Sequence, residues 1–503
     1  RSGQSVQSIG ESMNRARSPH IEATSHSESL SALDASFLSI ETEDVPMHIG
    51  ALLVFESGDL VRNGRLDFER IADFMGATIP RHERYRQIVK RVPVLRHPVW
   101  VDDAHFDPSF HIRYARVDEP GSSEQLKQLA GRLLSKRLPR SRPLWEVYVI
   151  DGLEDGRFAL LAKVHHCMVD GVGGMQLLEA LLSPFASQSV PKPPSHEPRR
   201  CPKGLSLLRS ELHERLARAK SLMRSRSLRT VGRELYGLKN ATTTGLNMFR
   251  RSPFASKDAG RYRRFEWTRF DLDEVKRIRT AVGGTVNDVL VAATAGAARR
   301  YLRRDGVDVA DLESLRTVLP VHTGGAQRRK TSGNRVAMLL ADLPLEPSSP
   351  SERLKQVVEL TSHLKDQSHQ SEGVQFVEDI ADATVGGLLA ELIKFASHME
   401  AFDLILTNIP GPQMPLYMMS ARLESVYPVV PLMPRQTLGI ALFSYDGSVF
   451  WGIQADREAF PDLPRFVADL EASYRALRRE ANLELAEAGT GRAAGSIAQT
   501  AQP

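Results

Sequence analysis

Two histidines stand side by side in Val164-His165-His166-Cys167-Met168-Val169-Asp170-Gly171, with an aspartate four residues past the second and a glycine after it. A neutral imidazole, with an ordinary pKa of roughly 6.5, can take a proton from an attacking hydroxyl near neutral pH and return it to a leaving group. An arbitrary His-His pair is usually structural; the spacing H-H-x-x-x-D-G sets this one apart. Asp170 invites comparison with a Ser-His-Asp arrangement, but a stretch of loop separates it from His166. Cys167 is a thiol beside a histidine and so a candidate nucleophile. Adjacency to His166 in sequence argues against an in-line pair.

The elements around the pair explain its placement. Arg157 to Val164 is a short, mostly apolar run that suits a buried strand. Gly171-Val172-Gly173-Gly174 lets the chain turn, and Met175, Leu178, Leu181 and Leu182 follow at helical spacing before Pro184. The histidines thus fall where a strand ends, and alternation along a strand predicts that they face opposite ways. Pro143 to Ile150 reads as a neighbouring strand joined to the His-His strand by a tight turn. Ile49 to Phe55 is a further strand, with amphipathic helices at Phe68 to Met75 and Glu124 to Leu138.

The 503 residues are too many for one ordinary core and predict two domains with extensions. Expected boundaries are 1–29 (disordered), 30–190 (first domain), 191–264 (basic helical linker), 265–478 (second domain) and 479–503 (disordered tail). Arg1 to Glu28 is polar and serine-rich, without the apolar core of a secretory signal, and no apolar run approaches the roughly 18 residues of a membrane span. The two cysteines, Cys167 and Cys201, exclude a disulfide framework and a cysteine-based zinc site. A cytoplasmic protein is expected.

Charge is unevenly placed. Between Arg199 and Arg264, 18 Lys plus Arg stand against 4 Asp plus Glu, in a chain of formal net charge +5. Within that segment, Gly204 to Tyr236 places Leu205, Leu208, Leu212, Leu216, Ala219 and Met223 on one helical face. Such a helix either lies on an anionic membrane, gaining about 1 kcal/mol for each basic residue near the surface, or packs its leucines on the two domains. Nucleic acid is not expected, since no aromatic interleaving or binding motif accompanies the basic residues.

In the second half, Thr285-Val286-Asn287-Asp288 opens a helix, with Thr285 as N-cap and Asp288 in the capping-box position. Capping accounts for Asp288 and leaves Asn287, a poor interior helix former, available to donate to an oxyanion. Further helices are expected at Leu272 to Val282, Leu354 to Ser368 and Pro461 to Arg478. Strands are expected at Leu315 to Val321, Arg335 to Leu343 and Asp403 to Thr407, and a hairpin at Leu438 to Gln454. Gly324-Gly325 with Arg328, Arg329 and Lys330 reads equally as a phosphate-holding loop or a basic surface loop.

The His-His box resembles the coenzyme A-dependent acyltransferase superfamily. Read with Leu30-Ser31-Ala32-Leu33-Asp34-Ala35-Ser36-Phe37-Leu38, Pro143-Leu144-Trp145-Glu146, Asn287-Asp288, Thr407-Asn408-Ile409-Pro410-Gly411-Pro412 and Ser444-Tyr445-Asp446-Gly447, the chain resembles the bacterial wax ester synthase/acyl-CoA:diacylglycerol acyltransferase family across about residues 30 to 478. That resemblance implies two chloramphenicol-acetyltransferase-like α/β sandwich domains joined by a helical linker, with a tunnel between them. It implies long-chain acyl transfer from acyl-CoA to diacylglycerol or a fatty alcohol, in a ternary complex, with no metal and no cofactor besides the acyl-CoA substrate. His166 would be the base, with His165 supporting, Asp170 ordering the loop and Gly171 leaving room beside the tunnel. Asn287, Asp288, Pro143 and Trp145 would bind substrate. Peripheral association with the inner membrane or lipid droplets follows from the lipids involved. The alternatives are another small acceptor on the same scaffold, or a non-catalytic lipid-droplet protein.

Overall fold

The computed structural model describes residues 27–499 except 63, 169–172, 226–252, 255–259, 310–311, 313–314, 323–335, 347–348 and 369–401. In chain order the strands of the first half are β1 Glu28–Ser29, β2 His48–Glu56, β3 Val61–Arg62, β4 Arg65–Leu66, β5 Gln87–Arg91, β6 Pro98–Asp102, β7 Ile112–Arg116, β8 Trp145–Asp151 and β9 Arg157–His165. The second half adds β10 Arg263–Asp271, β11 Leu315–His322, β12 Val336–Leu343, β13 Leu404–Pro410, β14 Tyr417–Met418, β15 Ala421–Val429, β16 Leu438–Tyr445 and β17 Ser448–Asp456. The α-helices are α1 Ala32–Ile40, α2 Phe68–Thr78, α3 Ser123–Leu134, α4 Gly173–Leu181, α5 Gly204–Ser225, α6 Leu272–Val282, α7 Val286–Arg304, α8 Pro350–Ser368 and α9 Leu463–Gln499.

Two mixed six-stranded sheets carry the fold, with orders β14-β15-β2-β9-β8-β7 and β10-β17-β16-β13-β11-β12. Both central regions are continuous apolar runs, as strands covered on both faces require. The expected two-lobed α/β architecture is therefore present. Its connectivity holds one feature that local sequence did not reveal. β15, from the second half, pairs antiparallel with β2 of the first, so the first sheet is completed by a strand borrowed across the molecule.

Two glycines sit where the two lobes come into close contact. A Cβ on Gly452 of β17 would collide with the Pro428 carbonyl of β15, and one on Gly131 of α3 would come within 2.8 Å of the Arg263 carbonyl of β10. Around them, Trp267 stacks on Tyr427 (4.8 Å), Arg263 N donates to Ser135 Oγ (2.8 Å) and Lys127 pairs with Glu266 (2.5 Å). The shared surface is thus apolar at its centre and ion-paired beside it.

Several expectations change. Glu28 and Ser29, expected within or beside the disordered segment, form β1 and pair with β6, and residues 479–499 of the expected disordered tail belong to α9. Helix α5 presents the opposite face from one that packs its leucines inward: Leu205, Leu212 and Leu216 are exposed. Leu207, Glu211 and Arg215 point in instead. Leu207 packs with Val92, Val99 and Val101, and Glu211 accepts from Ser29 Oγ and pairs with Arg215. Leu207 and the Glu211–Arg215 pair, with Leu208 partly buried beside them, hold the helix on the first lobe. Gly324, Gly325, Arg328, Arg329, Lys330, Ala219, Met223 and residues 226–236 lie outside the residues whose side chains are described. No single described helix is long and apolar enough to cross a membrane; α6 and α7 together are apolar but meet at 93°, and α7 is buried in the second core.

Candidate active site

β9 is apolar because it runs through the middle of the first sheet, with β2 and β8 on either side. It ends at His165, and His166 opens a one-turn 3-10 helix, His166–Met168. Both rings meet the same helix, α1. His166 stacks on Phe37 (centroids 3.9 Å apart, planes at 22°). His165 Nε2 lies 3.5 Å from Glu41 Oε1, at the C-terminal cap of α1, and its Nδ1 accepts from Cys167 N (3.1 Å). Phe37 and Glu41 are one helical turn apart, so α1 grips both histidines with one face. Backbone bonds fix the same corner, from His166 N to Met47 O (2.8 Å) and from His165 N to Leu144 O (2.9 Å).

Glu41 is held in turn by Arg140, whose Nε and Nη2 donate to Oε2 at 2.9 and 2.8 Å, while Nη2 also reaches Leu38 O. Burial would raise the Glu41 carboxyl, but His165 and Arg140 outweigh it and hold its pKa below the usual value. Neither Phe37, Glu41 nor Arg140 was expected at the site. Their signal lay in the acid four residues after an aromatic on one short helix; the arginine had none. Glu41→Ala should lower stability by about 2–3 kcal/mol, less than for a fully buried pair because the Arg140 side chain is 34% exposed. Urea unfolding measures it, and the same variant should lose activity through a displaced His165.

Burial governs the protonation states. It pushes the His166 imidazole down to about 4, with a smaller contribution from His165. His166 Nδ1 is buried without a hydrogen-bond partner. His48, directly across β2 from His165, is also held well below its usual value by burial, and His111 is lowered for the same chief reason. The sign follows directly. The unfolded chain binds protons at these histidines as pH drops below about 6.5, before the folded chain does, so stability is intact above that and lost on the way to about 4. Thermal unfolding across this range should show Tm falling as pH falls. Burial also raises the Cys167 thiol well above its usual value, which opposes the thiolate reading.

Trp145 and Pro143, expected to bind substrate, are packed into the fold. Trp145 is fully buried, stacked on His111 (4.5 Å), with its indole donating to Tyr85 O (2.9 Å). Pro143 is buried and its carbonyl accepts from Trp145 N (2.9 Å). They brace β8 and, through the Leu144 carbonyl, His165. Asp288 is likewise fully engaged: Oδ2 accepts from Thr285 N (2.7 Å) and Oγ1 (2.8 Å), and Oδ1 from Thr361 Oγ1 (2.8 Å). It caps α7 and ties it to α8. Asn287 is different. It is half-buried at the first turn of α7, and its Oδ1 accepts from Asn408 Nδ2 (3.3 Å). The structure thus joins two motifs separated by 121 residues. Asp170 and Gly171 lie outside the described residues.

Comparison with known proteins bears on this constellation. Residues 30–290 match the model of the wax ester synthase/diacylglycerol acyltransferase catalytic domain, and residues 332–478 that of the family's C-terminal domain. The chain belongs to the wax ester synthase/diacylglycerol acyltransferase family. It is accordingly an acyltransferase enzyme. A putative diacylglycerol O-acyltransferase of Mycobacterium tuberculosis is 30% identical over 449 residues, 87% of each chain. A probable diacylglycerol O-acyltransferase of the same organism is 29% identical over 460 residues, 88% of this chain and 94% of the relative. The wax ester synthase/diacylglycerol acyltransferase of Marinobacter aquaeolei VT8 superposes with a TM-score of 0.64 at 27% identity, covering 90% of this chain and 100% of that one. The first condensation domain of the calcium-dependent antibiotic synthetase, 16% identical with a TM-score of 0.57 over 91% of this chain and 97% of that one, shares the fold.

Proposed function

We propose that this family member transfers a long-chain acyl group from acyl-CoA to the hydroxyl of diacylglycerol or a fatty alcohol, with His166 as general base. The observation that carries this reading is the His166 ring at the end of β9, stacked on Phe37 of α1, where burial favours its neutral form. With Nδ1 buried, Nε2 is the nitrogen left to meet a substrate. It takes the hydroxyl proton as the oxygen attacks the thioester carbonyl, the C–S bond breaks, and the imidazolium protonates the departing thiolate. Asn287, whose Oδ1 is occupied by Asn408, has its amide N–H groups left to donate to the oxyanion. His165, Glu41 and Arg140 are positioning residues; Asp170 is assigned the ordering of its loop and Gly171 the room beside the substrate. Acyl-CoA serves as a substrate, and no cofactor or metal is assigned.

Acceptor choice is tested by supplying palmitoyl-CoA with hexadecanol, with dipalmitoylglycerol, or with small alcohols and amines, and separating the lipid products. Palmityl ester or triacylglycerol supports the reading; product from small acceptors alone overturns it.

We place the reaction at an anionic membrane or lipid-droplet surface, on the strength of the exposed Leu205, Leu212 and Leu216 flanked by exposed Arg209 on α5. Changing the three leucines to serine should release the protein from anionic vesicles in a sedimentation assay, and reversing the linker arginines should do so in a salt-sensitive way. Unchanged binding would leave α5 as scaffold.

A further inference from the structure

A cavity of about 480 Å³ lies in the second lobe between the C-terminal half of α7, the start of α8 and α9. Arg299, Arg300, Arg303, Arg304 and Arg353 line it, and the lining includes no carboxylate. Arg299 is 12 residues beyond Asn287, about 18 Å along α7, so this is not the histidine site.

Structural roles account for two of these arginines and for one contact of a third. Arg303 and Arg304 complement the negative end of α7, and Arg304 pairs with Asp469. Arg299 donates to Glu346 O (3.3 Å). Arg353 is another matter, because its residue is only 4% exposed and it sits in the first turn of α8, a poor place for a cation. Burial, reinforced by Arg299 and Arg300, pushes its guanidinium down to about 10, with Glu480 opposing. Glu480 is also occupied at the same helix start, accepting from Ser351 N (2.7 Å) and Ser349 Oγ (3.3 Å). Beside Arg353, Ser473 Oγ is buried and has no hydrogen-bond partner, and Arg299 Nε has none either. The floor is kept open by Gly296, where a Cβ would collide with Ser473 Oγ and come within 2.8 Å of Arg353 Nη1.

We propose that this cavity binds a phosphate-bearing ligand, with Arg353 and Ser473 at its floor and Arg300 and Arg303 at its rim. Guanidinium forks match phosphate oxygens in pairs, and a hydroxyl without a partner supplies one further donor. A volume of this size admits two linked phosphates. The phosphate belongs to a free phosphate ester or to an acidic lipid headgroup, and both sources present the same oxygens.

The test uses the full chain in two arms, calorimetric titration with inorganic pyrophosphate and sedimentation with phosphatidylcholine vesicles containing or lacking phosphatidic acid. Arg300→Gln/Arg303→Gln changes exposed residues and should weaken binding at least about tenfold in whichever arm binds. Ser473→Ala should weaken it about threefold. Without ligand, the double variant should melt no lower than wild type, because it removes mutual repulsion. Binding of pyrophosphate alone assigns a free ester, and rim-dependent binding of phosphatidic acid vesicles alone assigns a headgroup. Binding equal in wild type and the double variant, no binding in either arm at millimolar phosphate, or a lower ligand-free Tm in the double variant overturns the proposal.

Discussion

Gly452→Val should lower stability by about 3 kcal/mol or more and abolish acyl transfer with it. The position lies in the middle of β17, where its neighbours in the sheet are Trp267 and Ala441. On its open face the Pro428 backbone of β15 occupies the place a Cβ would take. Backbone cannot swing aside as a flexible side chain can, so the two sheets must separate. Separation would break the Trp267–Tyr427 stack and the edge contact of Tyr427 with Phe450 (5.6 Å). Because β15 is also the partner of β2, the disturbance passes to the strand opposite His165. Denaturant unfolding gives the stability, and a near-native midpoint would refute the close approach.

His166→Ala should lower kcat at least about a hundredfold while acyl-CoA binding changes little, the signature of a group that acts only in the transition state. The side chain is stacked on Phe37 but bears no fold-defining hydrogen bond, so the variant should melt close to wild type. Wild type should also show kcat/KM nearly constant between about pH 6 and 8, because a base held near 4 is already neutral there. A base so weak in the empty site gains strength during reaction, when the nearby oxyanion favours the imidazolium. Activity falling through the ordinary histidine range would mean that burial does not set this group.

Much of this site can be read in the linear sequence, and the limits have physical causes. The His-His strand is legible because its apolar run is uninterrupted from Phe158 to Ala162 and glycines follow its end. The start of α7 is legible because Thr285 and Asp288 form a reciprocal cap whose signal is only three residues long. Long-range partners carry no such signal. Arg140 meets Glu41 across 99 residues, and nothing in Ala421–Val429 announces that the strand belongs to the other lobe's sheet. Within the family motifs, Trp145 and Asp288 also make internal bonds that a linear motif does not announce, to Tyr85 and to Thr361. The orientation of α5 was hidden because Glu211 and Arg215 neutralise each other when buried, which a hydrophobicity pattern counts as two polar positions.

The account rests on His166 removing the acceptor's proton. Thiol release from palmitoyl-CoA with hexadecanol, followed in wild type and His166→Ala at equal acyl-CoA occupancy, tests this most directly. The account predicts release that requires the alcohol and drops at least about a hundredfold in the folded variant. Equal rates in the two proteins would contradict it.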